Sequence, residues 1–412
     1  MSIDCALKRV KAVLKEIKTK IYKRGYIYFE KKSKKYSPEA IDEKNKPFNY
    51  NDARILSENK CLKELNKSLN YFILSASFAD KWFILSFLKQ HLLLYKSSKI
   101  ISYAKDIEII KLFIPENLIK ERFIFLGEEE LGSLSQFFRP ISRVSTQIAD
   151  SWYTEGCEHT ITPFLIKNGL PPGTIRHLHE VYYPYFNELA CVHGVSRGIL
   201  MRTILYLPSS AQSQQSLRYS TEDFKNAYEI IGQKNDKADP FILFNIVNFS
   251  HVEFSIKRIT EISCLLSKKK FTVLLNIAES KLTANEKKEL SDIPGVKLIA
   301  IPGKLLALVS SKAFAVIGVL GGAMNIAAQF SDAHLLSFQT PARGIGVPEE
   351  ELLGKWGKEK MWEWWDQDWP CIFKGRVIIN KFVGDPEELQ MQNLANIINI
   401  FIQKCENSSF VK

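Results

Sequence analysis

The chain of 412 residues is 46% hydrophobic and 25% charged, the composition of a globular protein long enough for two domains. Its seven cysteines are scattered without a CxxC pair, which argues against a zinc ribbon or a disulfide framework and favours a reduced protein. The sequence shows no signal peptide at its start and no apolar run near the ~18 residues that span a membrane. We therefore expect a cytoplasmic protein without a membrane span.

The net charge of +11 is concentrated at the N-terminus, where residues 1–35 hold twelve basic and three acidic residues. Apolar residues recur there at three- and four-residue spacing and predict a basic amphipathic helix: Ile3, Leu7, Val10, Leu14, Ile17 and Ile21. Two interpretations are open. The helix either binds an anionic membrane surface, where each well-placed lysine adds about 1 kcal/mol, or packs on the body of the protein. Residues 36–68 predict a polar linker, so 1–69 form an N-terminal segment.

The next part of the chain alternates buried strands with helices. Strands are predicted at 70–77, 99–103 and 122–126, and helices at 82–94 and 107–113. This β-α-β-α-β order begins a doubly wound parallel sheet, and we assign 70–235 to a first Rossmann-like domain.

One carboxylate occupies a position of interest in this first domain. Asp80 follows the first predicted strand, in the turn that leads to the first helix. In a doubly wound sheet, a residue just past the carboxyl end of the first strand faces the ligand crevice. The alternative is that Asp80 caps the helix.

Histidines cluster in the less regular residues 136–215. The run His177-Leu178-His179-Glu180 is followed by His193. A His-x-His pair with a glutamate could ligate a metal, but the spacing matches no metal site that we can name, so we expect none. Acceptor binding or proton transfer is one interpretation of these side chains, and a structural role is the other.

A second α/β unit repeats the architecture of the first. Strands are predicted at 241–248, 272–276, 298–301, 313–319 and 334–338, with helices at 256–266, 281–290, 304–312 and 323–330. We assign 236–345 to a second Rossmann-like domain. Ser250 and His251 follow its first strand, the position that Asp80 holds in the first domain.

The chain is organised around a glycine turn in this second unit. Gly321 and Gly322 follow a buried strand and precede a helix of small residues. Such a turn lets the backbone approach a diphosphate, which the free amides and the dipole of the helix N-terminus can bind. The alternative is an ordinary tight turn between a strand and a helix.

The tail, 346–412, is rich in tryptophan. Five tryptophans lie within fourteen residues: Trp356, Trp362, Trp364, Trp365 and Trp369. They either stack on a sugar or base or, as aromatic clusters more often do, fill a core. A closing helix is predicted over 386–404.

Two short motifs resemble those of GT-B glycosyltransferases and, distantly, of the lipopolysaccharide heptosyltransferase family. The segment 74–80 is similar to that family's strand and Gly-Asp turn, with Ala79 in place of the glycine. The segment 306–330 has the layout of its helix, strand and Asp-Ser/Thr-Gly-x-x-His turn. Here Leu320 replaces the Asp, Gly321 the Ser/Thr and Asn325 the His.

This resemblance implies two doubly wound Rossmann-like domains facing a cleft, with the acceptor in the first domain and the donor in the second. The implied reaction moves a sugar from a nucleotide-sugar donor to a glycan, lipopolysaccharide or lipid-linked acceptor, with no cofactor and no obligatory metal. By analogy Asp80 is the general base, with His179, Glu180 and His193 as further candidates. The expected donor contacts are Ser250, His251, Gly321, Gly322, Ala323, Asn325 and Arg343.

Two other functions stay open. The loss of the family's Asp and His from the glycine turn is consistent with a non-catalytic binding protein of the same fold. The basic N-terminus is consistent with a nucleic-acid-binding protein, although such proteins more often spread basic charge over a folded face, so we expect no nucleic acid. If the N-terminal helix binds a membrane, the protein is expected in the cytoplasm, peripherally on the inner face of the membrane through residues 1–35.

Overall fold

The computed structural model describes residues 70–128 without 75 and 77, and then 175–178, 195–232, 239–246, 254–269, 271–278, 280–339, 376–382 and 390–409. All of them belong to one compact unit, Arg54–Lys412. The predicted N-terminal helix and the tryptophan cluster lie outside the described residues.

The first sheet is parallel and has the strand order β3-β2-β1-β4. Its strands are β1 (Asn70–Leu74), β2 (Ser98–Tyr103), β3 (Phe123–Leu126) and β4 (Ile175–His177). The helices of this part are α1 (Phe78–Leu94), α2 (Ile107–Phe113), α3 (Glu116–Arg122), α4 (Arg197–Ile204) and α5 (Thr221–Ile231).

The second sheet is also parallel and has the order β10-β9-β8-β5-β6-β7. Its strands are β5 (Phe241–Asn245), β6 (Thr272–Asn276), β7 (Val296–Ile299), β8 (Ala315–Val319), β9 (His334–Gln339) and β10 (Ile378–Phe382). Its helices are α6 (Ile256–Ser267), α7 (Ala284–Ser291), α8 (Leu306–Lys312), α9 (Gly322–Phe330) and α10 (Met391–Ser409).

The central strands are apolar without alternation because helices cover both of their faces. All five residues of β5 and of β8 are buried, as expected for strands in the middle of a parallel sheet. On one face, α6 and α10 pack together and contribute Ile262 and Phe401 to a core. The opposite face belongs to a larger core that includes residues of both sheets.

Helix α1 joins the two sheets. Every residue from 81 to 88 is buried, since α1 lies between the first sheet and α9 of the second. The ring of Trp82 lies 5.4 Å from that of Phe330, and Gln329 Nε2 donates to Ser86 Oγ at 3.1 Å. The parallel α/β class is therefore confirmed, while the division into two domains stays a prediction.

The observed elements differ from the predicted ones in a few places. Helix α1 begins at Phe78 and not at Trp82, so Asp80 lies inside its first turn and not in a loop before it. Helices α3 and α4 and strand β4 were not predicted. Strand β10 pairs with β9, so part of the tail completes the second sheet. Among the described residues, no helix is both long and apolar enough to cross a membrane.

Candidate functional site

Each sheet has a point where the strand order reverses, and ligands bind at such points in open α/β sheets. In the first sheet the reversal lies between β1 and β4, and in the second between β5 and β8. Asp80 follows β1, and the glycine turn follows β8. Asp80 and the glycine turn therefore both lie at the carboxyl end of a strand beside a reversal point.

The two turns are in contact with each other. A Cβ atom built on Gly322 would lie 3.3 Å from the Cβ of Ala79, and one built on Gly303 would lie 2.7 Å from the ring of Phe78. Because Ala79 meets residue 322 and Ser86 meets Gln329, α1 and α9 run parallel and begin side by side. The site is therefore the place where two helix N-termini converge.

The N-terminus of α9 carries backbone donors that have no partner within the helix. Its first helical bond runs from Asn325 N to Gly321 O at 2.9 Å, so the amides of residues 322–324 precede the hydrogen-bonded part of the helix. Together with the helix dipole they form the kind of site that binds anions.

Packing also explains why residue 322 is a glycine. Gly321 has φ 175°, an extended backbone that any residue adopts. Gly322 is tight against α1, where even an alanine would require its neighbour to shift by a few tenths of an ångström. The close approach of α1 thus accounts for Gly322 whether or not a ligand is bound.

Asp80 is held by an arginine that the sequence did not single out. Arg197 Nη2 donates to Asp80 Oδ1 at 2.7 Å, and the side chains are 5% and 19% exposed, respectively. The guanidinium lies over the ring of Phe83, 5.3 Å from its centroid. The sequence did contain a signal for this partner, because Arg197 is the first residue of α4, directly after the N-cap Ser196. A cation at that position opposes the helix dipole and favours an anionic partner.

A second ion pair lies one residue further along α1. Lys81 Nζ is 2.6 Å from Asp106 Oδ2, and both side chains are 6% exposed. Burial lowers the pKa of Lys81 below its ordinary value, while the hydrogen bond and charge of Asp106 oppose that shift. The carboxyl edge of the first sheet is therefore strongly charged.

The carboxyl edge of the second sheet is built from neutral amides. Asn276 Oδ1 accepts from the backbone N–H of Ala278 and of Ile301, both at 3.2 Å. Its Nδ2 must therefore donate, and it does so to Asn245 Oδ1 at 2.9 Å. Asn245 Nδ2 is left facing away from β6. It is buried and finds no acceptor in the part of the chain that the structure describes.

Two further residues complete this neutral edge. Gly318 pairs with Asn245 in the sheet, and a Cβ there would lie 2.6 Å from the Asn245 carbonyl oxygen. Asn325 Oδ1, in the first turn of α9, is buried and has no donor among the described residues. The edge thus offers one unused donor and one unused acceptor close to the free amides of α9.

The structure brings together only part of the predicted site. Asp80, Gly321, Gly322, Ala323 and Asn325 lie in the two converging turns. The remaining candidates lie outside the described residues: His179, Glu180, His193, Ser250, His251 and Arg343. Strand β4, which leads to the histidines, pairs with β1 and places His177 beside Ile73 in register.

A cavity of about 370 Å³ lies elsewhere, between α2, α5 and the turn before α8. Lys304 crosses it, at 2.8 Å from Asp223 and 3.3 Å from Glu108, and Lys111 pairs with Glu108 at 2.8 Å. Burial acts to lower the pKa of Lys304, but these hydrogen bonds outweigh it and raise the pKa. Lys304, Lys111, Glu108 and Asp223 are thus paired with one another, and we regard them as a structural network.

Comparison with known proteins agrees with the fold. No protein-family model matches the chain, and no curated protein matches it. Among solved structures, a glycosyl transferase of family 9 from Veillonella parvula is similar with a TM-score of 0.50 and 11% identity, over 85% of this chain and 99% of that one. The E. coli ADP-heptose lps heptosyltransferase II is similar with a TM-score of 0.45 and 13% identity, over 82% and 100% of the two chains.

A UDP-GlcNAc 2-epimerase from Neisseria meningitidis, bound to UDP-GlcNAc, has a TM-score of 0.40 and 12% identity, over 82% of this chain and 92% of that one. At these identities the likeness concerns the fold alone. The distant resemblance to GT-B glycosyltransferases that the sequence predicted is confirmed at that level.

Proposed function

We propose that the protein is a glycosyltransferase that moves a sugar from a nucleotide-sugar donor to a glycan, lipopolysaccharide or lipid-linked acceptor. The observation that carries this proposal is the contact between two turns of different chemistry. The charged turn with Asp80 and the amide-rich turn at Gly322 meet at the reversal points of two parallel sheets. The fold shared with a family 9 glycosyl transferase supports it.

On the donor side, the amides of residues 322–324 would hold the diphosphate. During transfer, negative charge develops on the leaving phosphate, and fixed N–H dipoles at a helix N-terminus stabilise such charge. Asn245 Nδ2 and Asn325 Oδ1, which lack partners among the described residues, would hydrogen-bond neutral groups of the donor. Ser250, His251 and Arg343 remain proposed donor contacts.

On the acceptor side, Asp80 would act as the general base. The acceptor oxygen bonds to the anomeric carbon, its proton moves to the Asp80 carboxylate, and the bond to the nucleotide phosphate breaks. Arg197 holds Oδ1 at 2.7 Å and so orients the carboxylate for this step. His179, Glu180 and His193 remain alternative bases.

The departures from the heptosyltransferase pattern agree with this division into a donor side of backbone and side-chain amides and an acceptor side with a carboxylate. Leu320 and Asn325 stand where that family has Asp and His, so neither position of the glycine turn carries a charged side chain. The same departures also suit a non-catalytic binding protein, which would bind the donor without turning it over.

The test measures both binding and turnover. The full-length protein is incubated with UDP-, GDP-, ADP- and CMP-sugars and a glycan or lipid acceptor fraction, and nucleotide release is followed. Asp80→Asn keeps the size of the side chain and an oxygen for Arg197, and it should lower turnover by about 10²- to 10⁴-fold at unchanged donor affinity. Donor binding without turnover in the wild type, or turnover that survives Asp80→Asn, would contradict the proposed mechanism.

A further inference from the structure

Large apolar side chains are exposed where α1 ends. Leu93 and Leu94 are each 58% exposed, Tyr95 is 38% exposed, and Tyr206, after α4, is 46% exposed. We call these four residues the α1-end patch. Single exposed apolar residues are common, but neighbouring ones mark an interaction surface.

The patch is continuous and held in place. Tyr95 Oη donates to the carbonyl oxygen of Tyr206 at 2.7 Å, and the ring centroids are 6.4 Å apart. Tyr206 has φ 52° and is the one non-glycine residue with positive φ in the described part of the chain. This left-handed conformation belongs to a Schellman cap that ends α4, in which the Tyr206 N–H donates to the Thr203 carbonyl oxygen at 3.1 Å and the Leu207 N–H to that of Arg202 at 2.7 Å. The cap fixes Tyr206 beside Tyr95.

The patch lies far from the candidate site. Asp80 is in the first turn of α1 and Leu94 is its last residue, and a helix of this length spans about 25 Å. Because the helix after a parallel strand runs back along the sheet, the patch lies at the amino ends of the strands, opposite the site. A sugar donor or acceptor group reacting at Asp80 does not reach it.

Lysines surround the patch. Lys89 is one helical turn before Leu93, and Lys96 is exposed directly after Tyr95. Lys99 is the second residue of β2, at the same end of the sheet, and its Nζ donates to the carbonyl oxygen of Glu121. Exposed Lys120 is near the end of α3, where Glu121 is paired with Arg122 at 3.0 Å. The rim is therefore positive and complementary to an anionic surface.

We propose that the α1-end patch docks on an anionic lipid bilayer. Leucines that enter the acyl boundary, tyrosines at headgroup depth and lysines that meet lipid phosphates are the features of proteins that lie on a membrane. A second copy is a poorer fit, since stable interfaces use about 20–30 residues a side and exclude lysine from their centre.

The test uses the full-length protein and vesicles made of equal parts phosphatidylglycerol and phosphatidylcholine, with phosphatidylcholine vesicles in parallel. Co-sedimentation should favour the anionic vesicles. Leu93→Ser with Leu94→Ser should lower the partition coefficient about tenfold, and Lys89→Gln with Lys96→Gln about fivefold per lysine. The matched control is Met391→Ser with Ile400→Ser, since these α10 residues are 41% and 42% exposed.

Three results would overturn the proposal. One is an unchanged partition coefficient for the leucine variant, and another is an equal loss in the α10 control. The third is a concentration-dependent dimer, seen without vesicles and lost in the leucine variant, which would assign the patch to a second copy. Vesicle binding requires no turnover, so its failure is separate from failure of the proposed transferase activity.

Discussion

The first sheet carries two ion pairs at its carboxyl edge, Asp80–Arg197 and Lys81–Asp106, whereas the second carries glycines and asparagines there. These edges touch at Ala79 and Gly322. The contrast between the edges separates two tasks of a group-transfer site, which are to hold reacting groups in place and to bind an incoming anion.

The charged edge fixes groups in place. Removing two charges from water is unfavourable, and the pair is stable only when both partners stay together. Two such pairs on consecutive residues hold the first turn of α1 from two directions. Among the described residues, the neutral edge adds no carboxylate of its own beside the α9 amides, which suits them to an incoming anion.

The largest effect should come from breaking the buried pair on the charged edge. Lys81→Met leaves Asp106 buried without its cation and should lower the free energy of unfolding by about 3–5 kcal/mol. Urea unfolding measures the change. Lys81→Met with Asp106→Leu should recover most of the loss. Lys105→Met is the control, because the Lys105–Glu128 pair is 59% and 72% exposed, and an effect as large as that of Lys81→Met would refute this explanation.

A smaller effect is expected from crowding the neutral edge. Gly318→Ala places a Cβ 2.6 Å from the backbone oxygen of Asn245, which cannot rotate away, and should destabilise by about 1–3 kcal/mol. Gly322→Ala meets only a methyl group at 3.3 Å and should cost less. Thermal unfolding compares the destabilisation of the two variants directly. A larger destabilisation by Gly322→Ala would show that the packing around Gly318 is less tight than described.

The third prediction concerns acid stability at the far end of α1. His91 is buried, with Nδ1 at 2.7 Å from the Leu205 carbonyl oxygen and Nε2 at 2.9 Å from Ser98 Oγ. Burial lowers the pKa of His91 below 6.5, and the hydrogen bond to Leu205 opposes this. The unfolded chain therefore binds the proton more readily, and stability present above pH 6.5 is lost as the pH falls through the folded pKa.

Each unit of difference between the two pKa values contributes about 1.4 kcal/mol. The loss of unfolding free energy between pH 7 and pH 5 should thus be smaller in His91→Gln than in the wild type. Denaturant titrations at the two pH values test this, and parallel losses in both proteins would show that His91 is not the responsible group.

The smallest effect should come from the network at the cavity. Lys304→Met removes the bridge between Glu108 and Asp223, whose side chains are 51% and 9% exposed. The lysine side chain is itself 26% exposed, and Asp223 keeps the hydrogen bonds that the N–H and Oγ of Ser220 donate to it, both at 2.8 Å. Because water screens such pairs, their contribution to the free energy of unfolding stays within about 1 kcal/mol. The destabilisation should shrink further in high salt, and a salt-independent loss would assign the effect to packing of the lysine stem.

Local pattern predicted much of the fold. Strands β5, β6 and β8 are continuous apolar runs, and their positions follow from that pattern alone. Asp80 and the glycine turn were found because each follows such a strand. Strand β4 has only three residues, too few for a periodic signal.

The partners within the site could not be predicted in the same way. Arg197 is 117 positions from Asp80, and no local pattern joins them. The reason for Gly322 is the approach of α1, and the unused amide of Asn245 depends on how Asn276 is oriented by two backbone donors. These are tertiary relationships, which become visible only when both sheets are in place.

The most direct test of the central claim is thermal stabilisation by UDP, GDP, ADP, CMP and their sugar conjugates. A ligand that binds only the folded state raises the melting temperature. Ala323→Asp adds an acid that suits the first turn of α9 but repels a phosphate, and Ala323→Ser is its neutral control. Our account predicts a shift with one nucleotide that survives in Ala323→Ser and Asp80→Asn and is lost in Ala323→Asp. A shift that persists in Ala323→Asp, or none with any nucleotide, would contradict it.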